Sequence, residues 1–293
     1  MATNILTRIH AGEILISDGA MGTLLFERGL KSGDCPEKMN LENPGVLEEI
    51  SRMYCQAGAD IVHANTFGAS PLKLAQYGLE KRVEEIVSVA VNFARNGAAE
   101  NTAVSLSVGP TGKILKPYGD TDAETIYEAF HQQIEPAIKL GVDAVTIETM
   151  IDIEEACQAV AAVRAFSGEI PIIATMTFEK GPRGFHTVMG TSVDVACKRL
   201  EDAGADVIGS NCGNGSEVMV EVAQAFREKT DLPLVIQSNA GLPEIKEGVT
   251  VYPESPQFMT EQMKRLKDIG VSIIGGCCGT TPEHIKTMSL HCS

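Results

Sequence analysis

The stretch Ala203-Gly204-Ala205-Asp206-Val207-Ile208-Gly209 joins the end of an amphipathic helical pattern to the start of an apolar strand pattern. Glycine just past the last helical turn adopts the left-handed conformation without a Cβ clash, so it ends the helix. The same junction occurs at Ala57-Gly58-Ala59-Asp60 and Leu140-Gly141-Val142-Asp143, and Ile269-Gly270-Val271-Ser272 differs only in its last residue. A junction that repeats along the chain predicts a series of β/α units.

Short apolar runs are the predicted strands of this series. Each is largely unbroken by polar residues, as expected for parallel strands covered on both faces. Helical patterns with apolar residues about 3.6 positions apart lie between them. The predicted strands are Ile14–Ser17, Asp60–His63, Ala103–Ser107, Asp143–Ile147, Pro171–Thr175, Asp206–Gly209, Pro233–Ile236 and Val271–Ile274. The predicted helices are Val46–Ala57, Val83–Asn96, Thr125–Leu140, Ile153–Phe166, Ser192–Ala203, Glu217–Lys229, Thr260–Ile269 and Pro282–Leu290.

These units, in a chain of 293 residues, predict a closed parallel (β/α)8 TIM barrel that forms a single domain over residues 1–293. An open, doubly wound sheet is the alternative. Such a sheet usually carries a glycine-rich phosphate turn after its first strand, and Asp18-Gly19-Ala20-Met21-Gly22 does not match that turn. The number and order of the units therefore favour the barrel.

Composition and charge narrow the classes of function. The chain has 39 Asp and Glu against 24 Lys and Arg and a formal net charge of -15, so nucleic acid and anionic membranes are not expected partners. No stretch approaches the roughly 20 apolar residues of a membrane span, and the N-terminus lacks the apolar core of a signal peptide. Since 8 cysteines accompany no export signal, we expect a soluble cytoplasmic protein.

Three cysteines lie just after predicted strands, in glycine-lined turns: Cys212 after one strand, and Cys277 and Cys278 after the last. The carboxyl ends of barrel strands meet at one rim, so we expect these thiols to lie close together. Adjacent cysteines form a poor disulfide, but both can reach one metal ion. Three thiolates plus an open position describe a reactive site for Zn²⁺, which is the predicted cofactor.

Simpler explanations exist for parts of this pattern. Buried cysteine most often packs as a small hydrophobic residue, which is the expectation for Cys55, Cys157 and Cys197. The glycine-rich turns after the last two strands could bind phosphate through backbone N–H groups, but phosphate leaves the adjacent thiols unexplained.

Two acidic residues and two histidines complete the candidates. Asp18 suits a helix cap or a substrate-positioning group equally well. Glu148 ends a very apolar strand at the same rim, which favours a functional role. His63 and His186 have no metal-ligating neighbour at a useful spacing, so structural roles are expected.

As a set, these motifs resemble the homocysteine S-methyltransferase family, and within it the homocysteine-binding domain of cobalamin-dependent methionine synthases. The resembling segments span nearly the whole chain in family order, and the last is the most specific. They are Asp18–Thr23, Ala57–Ile61, Asn65–Phe67, Glu148-Thr149, Asn211-Cys212, Ser238–Pro243 and Gly275–Pro282.

The resemblance implies a zinc barrel that methylates the thiol of homocysteine to give methionine. It makes Cys212, Cys277 and Cys278 the zinc ligands and the catalytic residues. Zinc with three thiolate ligands is a weak Lewis acid, so a coordinated substrate thiolate keeps the electron density needed to attack a methyl carbon.

The resemblance also implies the substrate-binding residues. Asn239 resembles the residue that can fill the fourth metal position when substrate is absent. Asp18, Glu148 and the backbone at Ala20 and Met21 resemble the groups that bind the amine and carboxylate of the amino acid.

The segment Ser210–Gly215 departs from the more usual Asn-Cys-x-x-Gly-Pro-like turn of the family, so the pocket wall there is expected to differ. The chain also ends soon after the cysteine pair, so the methyl donor is expected on a separate molecule. A methyl-corrinoid protein is the first expectation for that donor, and S-methylmethionine or betaine is the alternative. Another thiol could replace homocysteine as the acceptor.

An alternative of another class is a zinc or redox-sensing protein without catalysis. Structural zinc is normally closed by four protein ligands, and only three good ones are visible in the sequence.

Overall fold

The structure is a computed structural model that describes residues 4–246 and 249–292. Both extreme ends of the predicted 1–293 domain, and residues 247–248, lie outside the described residues. The strands are β1 (Leu15–Ile16), β2 (Ile61–Ala64), β3 (Ala103–Val108), β4 (Ala144–Met150), β5 (Ile172–Met176), β6 (Glu179–Gly181), β7 (Gly184–His186), β8 (Val207–Asn211), β9 (Leu234–Ser238), β10 (Glu244–Lys246), β11 (Val249–Val251) and β12 (Val271–Gly276).

The α-helices are α1 (Ile5–His10), α2 (Met21–Glu27), α3 (Met39–Glu42), α4 (Gly45–Gln56), α5 (Pro71–Leu74), α6 (Val83–Gly97), α7 (Ala123–Lys139), α8 (Ile153–Phe166), α9 (Val193–Ala203), α10 (Ser216–Arg227), α11 (Pro256–Ile269) and α12 (Pro282–Cys292). Two short 3₁₀ helices cover Pro36–Lys38 and Ala75–Tyr77. None of the helices in the described ranges is long and apolar enough to cross a membrane.

The central sheet is a closed barrel. Its parallel strands follow the order β1-β12-β9-β8-β5-β4-β3-β2. A parallel bridge between Ser17 and Ile61 joins the two ends of that order. Next to the bridge, Asp18 N–H donates to the Ile61 carbonyl at 2.9 Å, and Asp60 N–H donates to the Ile16 carbonyl at 2.7 Å. This confirms the predicted (β/α)8 fold, and the open sheet is wrong.

The repeated helix-to-strand junction has a structural reason. The aspartate at each junction accepts a backbone N–H from the preceding barrel strand and also binds an arginine guanidinium. The three sets of aspartate, N–H donor and arginine are Asp60 with Ile16 and Arg8, Asp143 with Val104 and Arg95, and Asp206 with Ile172 and Arg164. Charge-assisted hydrogen bonds are stronger than neutral ones, so each carboxylate fixes one strand start against its neighbour.

Inward-pointing side chains form layers, because alternate residues of a strand face the barrel interior. The lowest layer is apolar, and Ile5 and Ile9 of α1 pack against it. Its members are Leu15, Ile61, Ala103, Ala144, Ile173, Val207, Val235 and Ile273. Two positions further along each strand, the middle layer is polar or small: Ser17, His63, Ser105, Thr146, Thr175, Gly209, Gln237 and Gly275. The upper layer is Gly19, Asn65, Ser107, Glu148, Thr177, Asn211, Asn239 and Cys277.

Candidate metal centre and substrate pocket

The structure brings the three predicted thiols together at the carboxyl rim of the barrel. Cys212 directly follows β8, and Cys277 and Cys278 directly follow β12. Their Sγ atoms lie within 4.8 Å of one another, and the Cys212 and Cys278 sulfurs are 3.9 Å apart. Tetrahedral zinc with Zn–S bonds of about 2.3 Å places two sulfurs about 3.8 Å apart. The three sulfurs therefore fit a zinc ion, and their role as its ligands stays a prediction.

The backbone at Cys212 has a shape that few residues adopt. Its φ is 61°, in the left-handed region that non-glycine residues seldom occupy. Cys212 N–H donates to the Gln237 carbonyl at 3.0 Å, and Cys277 N–H donates to the Ser238 carbonyl at 2.7 Å. Both turns are therefore anchored on β9, the strand that lies between them in the barrel.

The protonation of the three thiols is linked. Hydrogen bonds from the Cys277 and Cys278 thiols stabilise the Cys212 thiolate and lower the pKa of Cys212. The same contacts with Cys212 raise the pKa of Cys277 and the pKa of Cys278. A divalent cation at this position would allow all three sulfurs to ionise.

The other cysteines lie apart from this cluster, and all are free thiols. Cys197 is in the core, and Cys55 and Cys157 are half-buried against it, as the sequence predicted. Burial raises the pKa of Cys35 and of Cys197 to about 12, so neither is a reactive thiolate at neutral pH.

A cleft of about 270 Å³ opens beside the thiols. Four predicted substrate-binding residues line it: Asp18, Ala20, Met21 and Glu148. A cleft of this volume suits a small amino acid. Asn239 is buried behind the rim, where its Oδ1 accepts the Cys278 N–H at 3.1 Å.

Glu148 and Asp18 do not cap helices. Glu148 lies within β4, and α2 begins after Ala20 without a side-chain cap. The capping explanation for Asp18 is therefore wrong. Glu148 accepts the Ser107 hydroxyl at 2.5 Å, and the Asn211 amide nitrogen lies 3.4 Å from its other oxygen. Burial raises the pKa of Glu148, and the charge of His63 opposes that rise.

Asp18 is bound to His63. His63 N–H donates to Asp18 Oδ2 at 2.8 Å, and His63 Nδ1 lies 2.7 Å from Asp18 Oδ1. On the other side of the ring, Nε2 lies 3.0 Å from Thr146 Oγ1. A structural role was predicted for His63 because it has no metal-ligating neighbour at a useful spacing in the sequence. Its carboxylate partner Asp18 lies 45 positions away.

Both backbone polar groups of Ala20 already have hydrogen-bond partners within the protein. Ala20 N–H donates to Thr280 Oγ1 at 3.1 Å, and the Ala20 carbonyl accepts the Tyr54 hydroxyl at 3.2 Å. Met21 is the first residue of α2 and lines the cleft. These contacts fix the turn that forms one wall of the pocket.

Sequence reasoning missed two further groups at the site. Glu37 is buried at the cleft wall, where it accepts the Gly68 N–H at 2.6 Å, and burial raises its pKa. Asn211 is fully buried, and its Oδ1 accepts the Thr149 N–H at 2.7 Å and the Thr175 hydroxyl at 2.8 Å. Asn211 lies two positions beyond Gly209, so the alternation of side chains along the strand places it inside the barrel. That alternation is the sequence signal that could have identified Asn211.

The segment from Gly29 to Pro44, which follows α2, is anchored to the barrel. Asn40 Nδ2 donates to the Asn65 carbonyl at 2.9 Å, and Asn65 Nδ2 donates to the Pro36 carbonyl at 2.9 Å. Together with the Glu37 contact, these bonds make the segment a wall of the cleft.

The fold and the rim together define a (β/α)8 barrel with a three-cysteine cluster at the carboxyl ends of its strands. The chain belongs to the homocysteine S-methyltransferase family, whose sequence profile matches residues 15–292. The predicted family resemblance is thereby confirmed.

Two curated relatives and one crystal structure illustrate the family. The chain is 31% identical over 296 residues to methionine synthase of Mycobacterium leprae, an alignment that covers 95% of this chain and 24% of that protein. It is 31% identical over 308 residues to betaine–homocysteine S-methyltransferase 1 of Rattus norvegicus, covering 97% and 74%. The metallated homocysteine methyltransferase MmuM of Escherichia coli shares the fold, with a TM-score of 0.82, 23% identity and coverage of 98% and 99%. The chain thus spans about a quarter of the methionine synthase.

Proposed function

We propose that this protein is a zinc-dependent methyltransferase that moves a methyl group to the thiol of homocysteine and gives methionine. One observation carries the proposal: three sulfurs lie within 4.8 Å of one another beside a small cleft lined by Asp18 and Glu148. We further propose that residues 1–293 form one homocysteine-binding barrel domain. Its free thiols suit a reducing compartment, the cytoplasm.

Each part of the site has a defined task. Cys212, Cys277 and Cys278 would hold the zinc, which when bound keeps an incoming thiol ionised at neutral pH. Asp18 and Glu148 bind the ammonium of the amino acid, and the small cleft positions its sulfur. During transfer a sulfur–carbon bond forms at the methyl group. The bond from methyl to donor breaks, and its electron pair stays with the donor.

For the methyl donor we propose a methyl-corrinoid protein, since methionine synthases are among the relatives. S-methylmethionine or betaine is the second candidate. The aromatic ring of Phe67 lines the same cleft, and an aromatic face attracts a small cation. Methionine formation from homocysteine with each donor in turn distinguishes these candidates.

The cysteine variants test the proposal. Cys277→Ser is expected to lose stoichiometric zinc and to lower methyl transfer by more than about a hundredfold. Cys157→Ser, a half-buried thiol outside the cluster, is the matched control and should change neither. Full activity in zinc-free protein would refute the scheme.

Zinc-edge X-ray absorption separates the enzyme from a sensor. The proposal expects three sulfur ligands in the free protein and a fourth when homocysteine is added. A zinc ion that is saturated by protein ligands and indifferent to thiols would favour the redox-sensing alternative.

A further inference from the structure

His63 lies in the middle layer of the barrel, directly beneath the cleft, and is 8% exposed. Its ring and its backbone N–H together engage both carboxylate oxygens of Asp18. The ring holds Oδ1 and the backbone N–H holds Oδ2, and together they fix the position of the carboxylate. Asp18 therefore reaches the cleft in an orientation set by His63.

The surroundings of the ring suit a protonated imidazole. Nδ1 faces the Asp18 carboxylate, and Nε2 faces Thr146 Oγ1, which in turn lies 2.8 Å from Ser105 Oγ. Thr146 can therefore accept from Nε2–H while its own hydroxyl donates to Ser105. Both ring nitrogens then have acceptors, as an imidazolium requires.

The charges around His63 come from two elements. Asp18 follows β1 and Glu148 lies on β4, while the neighbouring middle-layer groups from β1, β3, β4 and β9 are uncharged. Burial opposes the charge of His63, but Asp18 and then Glu148 outweigh it and raise the pKa of His63 to about 9.

We propose that His63 is a positioning residue of the acceptor site: held between Asp18 and Thr146, its imidazolium orients Asp18 and opposes the protonation of Glu148 where the substrate's ammonium binds. This inference rests on the proposed function, because it takes an amino-acid thiol as the acceptor. A positive charge next to a carboxylate lowers that carboxylate's pKa by about one unit or more. Loss of His63 should therefore weaken ammonium binding at acid pH more than at neutral pH.

The test compares two ligands of zinc-loaded protein by calorimetry between pH 5 and pH 9, at steps of about half a unit. The ligands are homocysteine and 4-mercaptobutanoate, which is homocysteine without its amino group. In His63→Gln the pH at which homocysteine affinity falls on the acid side is expected to rise by about one unit. Binding of 4-mercaptobutanoate should keep its pH dependence, and zinc content should not change.

Two further variants show how His63 acts. In an Asp18→Asn background, His63→Gln should shift the acid-side fall in homocysteine affinity by less than half as much, because Asp18 is the main group that holds His63 protonated. His10→Gln, an exposed histidine on α1, is the control and should shift nothing. If His63 had a purely structural role, His63→Gln would instead lower the affinity for both ligands equally. The pH at which homocysteine affinity falls would then stay unchanged, and that result would overturn the inference.

A measurement on the unsubstituted protein covers the case in which the variants do not fold. With ¹⁵N-labelled histidine, NMR should show the His63 ring protonated on both nitrogens at pH 7.5, about one unit above the usual histidine pKa. A neutral ring at that pH refutes the inference and leaves the proposed function standing. Absence of any homocysteine binding by the unsubstituted protein refutes the proposed function as well.

Discussion

Replacing Asn211 by alanine tests how the upper layer of the barrel is held. Three of its side-chain hydrogen bonds are short: two join it to Thr149, at 2.7 and 2.8 Å, and one joins it to Thr175 at 2.8 Å. Thr149 has a φ of 60°, so these bonds hold a residue in a left-handed conformation that costs about 1–3 kcal/mol. Asn211→Ala would leave that conformation without its anchor.

The magnitude follows from the lost bonds. Each buried hydrogen bond contributes about 1 kcal/mol net, and an orphaned buried N–H at Thr149 costs about 1–2 kcal/mol more. Asn211→Ala should therefore lower the free energy of unfolding by about 4 kcal/mol. The amide nitrogen also faces Glu148, so homocysteine affinity should fall together with stability.

Urea unfolding of the zinc-free protein measures this free energy without metal binding. Asn96→Ala, an exposed position on α6, is the matched control, and a change within about 0.5 kcal/mol is expected there. A loss below about 1 kcal/mol for Asn211→Ala would refute the reasoning, because it would mean that water or neighbouring groups replace all three bonds.

Three further predictions concern the barrel. Ile5→Ala should lower the unfolding free energy in urea by about 3 kcal/mol, whereas Leu290→Ala, which is exposed, should change it by less than about 0.5 kcal/mol. Asp206→Ala should lower the thermal midpoint through a loss of about 2 kcal/mol, because it removes a carboxylate that bridges two strands; the exposed Asp202→Ala should not. His63 has a folded-state pKa of about 9, above the usual value of about 6.5, because its carboxylate partner outweighs burial. Its stabilising effect is therefore complete below about pH 6 and is lost as the pH rises through 9, so urea unfolding of His63→Gln should differ most from the unsubstituted protein at pH 6.

Each of these predictions has an outcome that contradicts it. Equal losses for Ile5→Ala and Leu290→Ala would show that α1 does not support the lowest layer. Equal midpoints for Asp206→Ala and the unsubstituted protein would show that the junction carboxylate is dispensable. A His63→Gln deficit that grows above pH 9 would mean that the neutral ring is the stabilising form.

The barrel could be predicted because its signal is local and repeated. Apolar strand runs and glycine helix stops recur along the chain, and the order of β/α units decides the topology. The helix α1 could not be predicted in this way. Its six residues offer only Ile5 and Ile9 as buried positions, and the layer that they cover is assembled from every barrel strand. Helix α11 begins at Pro256 and not at Thr260, since Ser255 caps it and proline suits the first turn.

The site was predictable where topology alone determines proximity. Cys212 and the Cys277-Cys278 pair each follow a strand, so the rim brings them together whatever the helices do. Glu37 and His63 were different, because their partners are distant in sequence and no spacing rule connects them. A histidine inside an apolar run gives no indication of the carboxylate that it will meet.

The junction aspartates have a consequence for metal supply. Their carboxylates hydrogen-bond the backbone of neighbouring strands at the amino end of the barrel, opposite the sulfurs. If the three sulfurs bind zinc as proposed, this scaffold should hold them in place without the ion, unlike a zinc finger, which unfolds on chelation. Stripping the ion should leave circular dichroism unchanged and lower the melting temperature only by mass action. Zinc added back to the stripped protein should then restore the proposed site without refolding of the chain.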